Sequence, residues 1–129
     1  MIVVDAGVAI AALTDEEGLG ARARDRIVEL PLAPELIGIE VVSGLRRLTA
    51  AAVIDPSRAA AAVADFADLA LLLTPHWPLL DRCWELRGNL SAYDAAYVAL
   101  AELMEVPLVT IDRRLASAPG VRCAIEVLD

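Results

Sequence analysis

The sequence contains no lysine, and all 11 of its basic residues are arginine. Several kinds of enzyme are thereby excluded, because Schiff-base chemistry needs a lysine amine and P-loop nucleotide hydrolases need a lysine at the transferred phosphate. Acidic residues number 19, which gives a net charge of −8. A protein that binds nucleic acid through a broad basic surface and counterion release is therefore not expected.

Histidine and cysteine are also scarce: the chain has one histidine, His76, and two cysteines, Cys83 and Cys123. A single histidine in a turn is a poor metal ligand when no second one accompanies it. The cysteines lie far apart and in no metal-binding spacing. This favours two buried thiols in a reducing cytoplasm, with a disulfide as the alternative.

No apolar run is long enough to cross a membrane. The longest uncharged stretch, residues 69–80, contains Pro75 and Pro78 and is shorter than the roughly 18 to 20 residues of a spanning helix. No basic-then-apolar targeting segment opens the chain. We therefore expect a cytoplasmic protein with no membrane partner, whose excess apolar surface is covered by another protein or a second copy.

Apolar residues make up 58% of the 129-residue chain, and no linker, repeat or low-complexity tract divides it. We expect residues 1–129 to form a single domain with a substantial core. Strands and helices alternate in the predicted order, which favours an α/β fold with a mainly parallel sheet. Strands are predicted at about 2–5, 108–110 and 123–127, with extended pieces near 32 and at 70–74; helices are predicted at about 7–14, 20–29, 35–51, 56–69, 77–87 and 91–104, with a short one after 112.

Two of the predicted strands lie in apolar runs that end on an aspartate, Asp5 and Asp112. Ligands of parallel sheets bind beyond the carboxyl ends of the strands, so we expect both carboxylates to face one crevice. Thr110 lies two residues before Asp112 on the same strand face, where its hydroxyl is suited to binding a carboxylate or a metal-bound water. The alternative role of each aspartate is a helix N-cap, and that of the threonine is an ordinary strand position.

Two further acids lie in apolar helical stretches. Glu40 has apolar neighbours on almost every side of its helix, and its alternative role is a buried ion pair with an arginine such as Arg46 or Arg47. Asp94 heads an apolar helix face, and its alternative role is a capping box with Ser91. Four carboxylates in one place would repel each other without a cation, so the set predicts a site for a hard metal ion.

Four segments carry a resemblance to a known family. They are Val3-Val4-Asp5, the helix that contains Glu40 and begins at Pro34-Glu35-Leu36, the segment Ser91–Glu102, and the segment Leu108–Leu115. Together they resemble the PIN-domain ribonucleases and, within them, the VapC toxins of bacterial toxin–antitoxin pairs. The resemblance covers essentially the whole chain, and the segments 91–102 and 110–115 are its most specific parts.

The resemblance implies a PIN-like three-layer fold, in which helices flank a central, mainly parallel sheet of four to five strands. It implies a Mg²⁺- or Mn²⁺-dependent endoribonuclease whose acidic metal site is formed by four residues, Asp5, Glu40, Asp94 and Asp112. It also implies a homodimer, an RNA substrate and a cognate VapB-type antitoxin that wraps the toxin and blocks the site.

The turn after the first aspartate departs from the family. Its members commonly carry a serine or an asparagine there, whereas this chain has Ala6 and Gly7, which lack polar side chains. Polar groups that orient metal ligands are worth roughly 10- to 100-fold in affinity or activity. Two hypotheses follow: a ribonuclease that hydrolyses RNA with metal-activated water, and a catalytically weakened PIN-like binding module that acts through dimer and antitoxin contacts.

Overall fold

The structure, a computed structural model, describes residues 1–129 and contains five short strands. They are β1 (Ile2–Val4), β2 (Pro31–Pro34), β3 (Leu72–Thr74), β4 (Leu108–Thr110) and β5 (Ile125–Val127). All neighbouring strands are parallel, in the order β3-β2-β1-β4-β5. From β1 the chain adds β2 and then β3 on one side. It then returns to add β4 and β5 on the other side of β1. A topological switch point, where ligands of such sheets bind, therefore lies between β1 and β4.

Seven α-helices flank the strands. They are α1 (Ala6–Thr14), α2 (Gly18–Ile27), α3 (Ile37–Ala50), α4 (Pro56–Ala67), α5 (Leu80–Glu85), α6 (Ala92–Met104) and α7 (Arg113–Ala116). Helix α6 packs against β1, β2 and β4, whereas α1 packs against α2, α3 and α4. The expected α/β fold is confirmed, and the sheet is wholly parallel with five strands.

The two central strands are buried along their whole length. Every residue of β1 and β4 is buried, and α6 covers them with an unbroken buried run from Ala95 to Ala101. Strands that are covered on both faces need apolar side chains at every position. This explains why β1 and β4 appear in the sequence as continuous apolar runs rather than alternating ones.

Helices α1 and α3 approach each other closely, which brings the helix that follows Asp5 next to the helix that carries Glu40. Gly44 makes this approach feasible, because a Cβ atom there would lie 2.3 Å from Cδ1 of Ile10. The space that glycine leaves on α3 is thus filled by an apolar side chain from α1. Any larger residue at position 44 would push the two helices apart.

Most predicted boundaries differ from the structure by no more than two residues, and the helix predicted at 77–87 differs by more. Residues 77–87 were expected to form one helix, but Trp77–Leu79 form a 3-10 turn and α5 begins only at Leu80. Pro78 lies inside that turn, and its nitrogen has no N–H group to donate to a carbonyl of the preceding turn. The last strand begins at Ile125 rather than at 123.

Trp77 and Trp84 lie outside the core, since they are 83% and 67% exposed.

Three other sequence expectations have structural outcomes. Cys83 and Cys123 are both free, but they are half-buried rather than buried as expected, and this partial burial raises the pKa of Cys123 to about 11. His76 has a structural contact, because its Nε2 accepts a hydrogen bond from the backbone N–H of Leu36. None of the helices combines the length and the apolar character needed to cross a membrane.

Candidate functional site

Asp5 and Thr110 lie side by side at the switch point. The sheet register pairs Val4 with Val109, so the residue after each is a neighbour across the two strands. The Thr110 hydroxyl donates to Oδ2 of Asp5, and the backbone N–H of Val8 donates to Oδ1 over 2.9 Å. Asp5 therefore caps α1 and also holds a fixed carboxylate at the end of β1, so the two roles considered for it coexist.

Asp112 follows β4 but makes different contacts. Its backbone N–H donates to Oγ1 of Thr110 over 2.9 Å, and its Oδ1 accepts from the backbone N–H of Arg114, which caps α7. The guanidinium of Arg114 also donates to Oδ1 over 3.0 Å and to Oδ2 over 2.8 Å. These hydrogen bonds from Arg114 hold the pKa of Asp112 below its usual range. Both oxygens of this carboxylate are thus engaged within the chain.

Glu40 is held by a tyrosine. The hydroxyl of Tyr97 on α6 donates to Oε1 of Glu40 over 2.6 Å. Tyr97 is only 2% exposed, and burial together with the neighbouring Glu40 raises the pKa of its hydroxyl, so it remains a protonated donor. Glu40 takes part in no salt bridge. The alternative of an ion pair with Arg46 or Arg47 is therefore wrong.

Asp94 lies in the first turn of α6 with an unengaged carboxylate. Its backbone N–H donates to Oγ of Ser91 over 3.1 Å, as expected for one half of a capping box. The reciprocal hydrogen bond from the Ser91 backbone N–H to the Asp94 side chain is absent, because the short aspartate does not reach back as a glutamate would. The capping role therefore uses the backbone of Asp94 and leaves its two carboxylate oxygens free.

Two adjoining cavities surround these acids. Asp5, Glu40 and Asp94 line a cavity of about 200 Å³ whose only cationic lining residue is Arg47. Asp94 also lines a second cavity of about 470 Å³, together with Asp112 and Arg114. The structure thus brings three of the four predicted acids to one cavity. Asp112, the fourth, lines the neighbouring cavity, and Asp94 lines both. No three of the acids stand close enough together to surround an ion as the side chains lie.

The electrostatics of the smaller cavity favour a cation. Burial raises the pKa of Asp5, against the hydrogen bonds from Thr110 and Val8, and the charges of Asp94 and Glu40 raise it further. The donors are carboxylate oxygens, which are the ligands that Mg²⁺ and Mn²⁺ prefer. On the chemistry of this donor set the residues fit a hard divalent ion. Such an ion would offset the repulsion that these acids now exert on one another.

Gly7 lies in the first turn of α1, where an apolar side chain covers it. A Cβ atom at Gly7 would lie 2.9 Å from Cγ1 of Ile111 and 3.5 Å from Oδ1 of Asp5. A serine at this position would therefore require Ile111 to move. The polar group expected from the family is absent here, and the side chain of Ile111 fills the space that such a group would occupy.

The sequence interpretation did not assign functional contacts to two residues at this site. These residues are Tyr97, on the apolar helix face that Asp94 heads, and Arg114, two positions after Asp112. The signal for Tyr97 was present, since a buried tyrosine hydroxyl needs a partner and Asp94 lies one turn earlier on the same face. The pairing of Arg114 with Asp112 depends on the local turn, which the sequence does not specify.

A parallel sheet with acids gathered at its switch point defines the class of this protein: the chain belongs to the PIN-domain family, which it matches over residues 2–121. Within that family it groups with the VapC ribonucleases. It is 42% identical to ribonuclease VapC9 of Mycobacterium tuberculosis over 129 residues, which cover 99% of this chain and 98% of the relative. It is 39% identical to ribonuclease VapC1 of the same organism, over 98% and 96% of the two chains.

Solved structures share the fold at low sequence identity. The Mycobacterium tuberculosis toxin VapC20, described as cleaving the sarcin-ricin loop, superposes with a TM-score of 0.70 at 17% identity and full coverage of both chains. A chain of Rickettsia felis VapBC2, bound to a promoter DNA fragment, gives a TM-score of 0.72 at 13% identity, again over both full chains. At these identities the likeness establishes the fold alone.

Proposed function

We propose that the chain is the toxin of a VapBC-type toxin–antitoxin pair and acts as an endoribonuclease that depends on Mg²⁺ or Mn²⁺. The observation that carries this proposal is the meeting of Asp5, Glu40 and Asp94 on one cavity at the switch point of the sheet. The relatives named VapC ribonucleases support RNA as the substrate. The missing lysine and the structural contact of His76 fit a reaction that uses no covalent nucleophile.

The cation would be held by Asp5, Glu40 and Asp94, with Asp112 as a fourth donor once it parts from Arg114. When bound, it would supply charge neutralisation at the phosphate and activation of a water molecule. In the reaction, a water oxygen forms a bond to phosphorus, the bond from phosphorus to one ribose oxygen breaks, and that oxygen takes up a proton. The products are two shorter RNA chains.

The chain itself contributes orientation. Thr110 and the Val8 N–H fix both oxygens of Asp5, and Tyr97 fixes one oxygen of Glu40. Such partners hold carboxylates ready for a ligand and raise metal affinity and activity. Asp94 remains free to turn toward an incoming cation. Thr110 is therefore proposed as a residue that acts through Asp5 rather than by touching the substrate.

Partners are also part of the proposal. We propose a homodimer and a VapB-type antitoxin as the proteins that cover the exposed apolar surface, which includes Trp77, Leu80, Trp84 and Tyr93. Solved structures of similar fold come from toxin–antitoxin complexes such as VapBC2, which supports an antitoxin partner. One sheet and one continuous core support a single domain over residues 1–129.

The direct test is cleavage of a mixed RNA pool by the antitoxin-free chain with Mn²⁺ or Mg²⁺. We expect cutting that stops when the metal is chelated and that is lost in Asp94→Asn. The matched control is Asp25→Asn, an exposed aspartate on α2, which should cut like the natural chain. Folded protein that neither binds the ions nor cuts RNA would overturn the proposal.

That negative result would favour the second candidate, a catalytically weakened PIN-like module that acts through dimer and antitoxin contacts. The observations that favour this candidate are the apolar cover that Ile111 places over Gly7 and the engagement of both Asp112 oxygens by Arg114. It predicts tight antitoxin binding by a chain that is inert toward RNA.

A further inference from the structure

We propose that Arg114 binds a backbone phosphate of the RNA beside the cut, and that it leaves the carboxylate of Asp112 to do so. The exchange would place the Arg114 guanidinium on a phosphate of the substrate. At the same time it would free the Asp112 carboxylate to bind the metal ion. This inference rests on the proposed nuclease function and adds a substrate-binding residue to it. Three features of Arg114 support it: its partner, its exposure and the cavity it lines.

A phosphate can take the place of the Asp112 carboxylate that Arg114 now binds. Two guanidinium nitrogens donate to the two oxygens of Asp112, over 3.0 and 2.8 Å. An arginine fork matches the spacing of carboxylate and phosphate oxygens equally well. The side chain makes no other hydrogen bond, so it can move to a phosphate without leaving a second acceptor unpaired.

The exposure of this pair makes the exchange easy. The Arg114 side chain is 88% exposed and that of Asp112 is 27% exposed. Solvent and salt reach the exposed guanidinium and weaken its attraction to Asp112. Arg82 provides a contrast within the same chain: its side chain is only 19% exposed and donates to Glu102, Glu85 and the backbone oxygen of Gly120. Arg82 is held by three partners, whereas Arg114 is held by Asp112 alone.

The cavity around Arg114 adjoins the acids. It measures about 470 Å³, its walls include Asp94 and Asp112, and Arg114 is its only cationic residue. Asn89, Ser91 and Ser117 add polar groups to the lining. Because Asp94 also lines the smaller cavity with Asp5 and Glu40, a phosphate on Arg114 would lie next to the phosphate that is cut. The geometry thus provides room for a neighbouring nucleotide on this side of Asp94.

Arg113 offers a matched control. It lies on the same short helix and carries the same charge, but its guanidinium donates to Oδ2 of Asp129 over 2.8 Å, and both side chains of that pair are exposed. It lines neither cavity that contains the acids. A general effect of lost positive charge would appear in both arginine variants, whereas an effect of the proposed exchange would appear in only one.

The experiment compares Arg114→Gln, Arg113→Gln and the natural chain in two assays. Calorimetry with Mn²⁺ alone measures ion affinity without RNA. Steady-state cleavage of an RNA oligonucleotide that contains a cut site mapped on the natural chain measures KM and its salt dependence. For Arg114→Gln we expect the Kd for Mn²⁺ to fall about two- to fivefold, because Asp112 is released. We expect KM to rise about tenfold and the salt slope of binding to fall by about 0.7.

Arg113→Gln should match the natural chain in both assays. If Arg114→Gln behaves like Arg113→Gln, or if it binds Mn²⁺ more weakly than the natural chain, the exchange is overturned while the nuclease proposal stands. If the natural chain itself neither binds Mn²⁺ nor cuts RNA, the nuclease proposal fails, and the inference about Arg114 fails with it. The two failures are therefore distinguishable.

Discussion

The two ends of helix α6 carry acids in opposite electrostatic circumstances. Near the last turn, both oxygens of Glu102 accept hydrogen bonds from Arg82, and Oε1 also accepts from the Arg122 backbone N–H. In the first turn, Asp94 faces Asp5 and Glu40 across a cavity, and no salt bridge neutralises any of these three. Asp94 and Glu102 are separated by about 12 Å along the helix axis.

The pKa values follow this difference. Burial alone would raise the pKa of Glu102, but the hydrogen bonds from Arg82 and Arg122 bring it below the usual range. At Asp5 the hydrogen bonds from Thr110 and Val8 do not outweigh burial, and the pKa is raised. The chain completes the charges of one end with its own arginines, whereas at the other end neutral donors fix Asp5 and Glu40 and no donor engages the Asp94 carboxylate. A cation from outside the chain would complete the second end.

Among variants that keep all four site acids, the largest expected effect on cleavage comes from Tyr97→Phe, which removes the hydroxyl that α6 donates to Glu40. We expect RNA cleavage to fall about 10- to 100-fold and Mn²⁺ affinity to fall with it. The control is Tyr93→Phe, which removes the hydroxyl of a tyrosine that is 65% exposed on the same helix. Equal cleavage by the two variants would show that the Tyr97 hydroxyl has no part in the site.

The next largest effect concerns stability and tests the last turn of α6. Glu102→Gln breaks the pair with Arg82 and should lower the free energy of unfolding by about 1.5 to 3 kcal/mol at pH 7, with cleavage by the folded protein unchanged. Because the pKa of Glu102 is lowered by folding, its contribution is present above pH 4.5 and is lost as pH falls through the folded value. Denaturant unfolding against pH checks this. Glu16→Gln, at an exposed glutamate, should leave the free energy of unfolding at pH 7 unchanged.

The smallest effect concerns Asp5→Asn. Folding raises the pKa of Asp5, so the stabilising contribution of this residue is complete below pH 3.8 and is lost as pH rises through the folded value. Asparagine also caps helices well and carries no charge. Without divalent ions at pH 7, the variant should melt roughly 2 to 4 °C above the natural chain. The gain should shrink at low pH, and Asp25→Asn should show none.

The sequence allowed the central part of the fold to be predicted because burial on both faces leaves a strong signal. The runs that end on Asp5 and Asp112 are strands for that reason. The edge strand β3 has two exposed leucines, and β2 begins and ends with proline, so neither carries the same pattern. Pro78 had a local effect on the helix boundary that periodicity alone did not show.

At the site, the sequence identified acids but not their partners. Asp5 and Glu40 stood out because a carboxylate among apolar residues is unfavourable unless a partner binds it. The Tyr97–Glu40 contact joins residues 57 positions apart, and the contact between Thr110 and Asp5 joins residues 105 apart. Such pairs depend on the register of β1 and β4 and on the packing of α6 across the sheet, which one sequence does not provide. The ligand roles of all four acids stay predictions.

The central claim is that the acids at the first turn of α6 are completed by a divalent cation and those at the last turn by the chain. Thermal unfolding of the natural chain, Asp94→Asn and Glu102→Gln with and without Mn²⁺ tests it most directly. Mn²⁺ at about 100 times its Kd should stabilise the natural chain and Glu102→Gln by about 2.7 kcal/mol each and leave Asp94→Asn unchanged. Equal stabilisation of Asp94→Asn and the natural chain would contradict the claim.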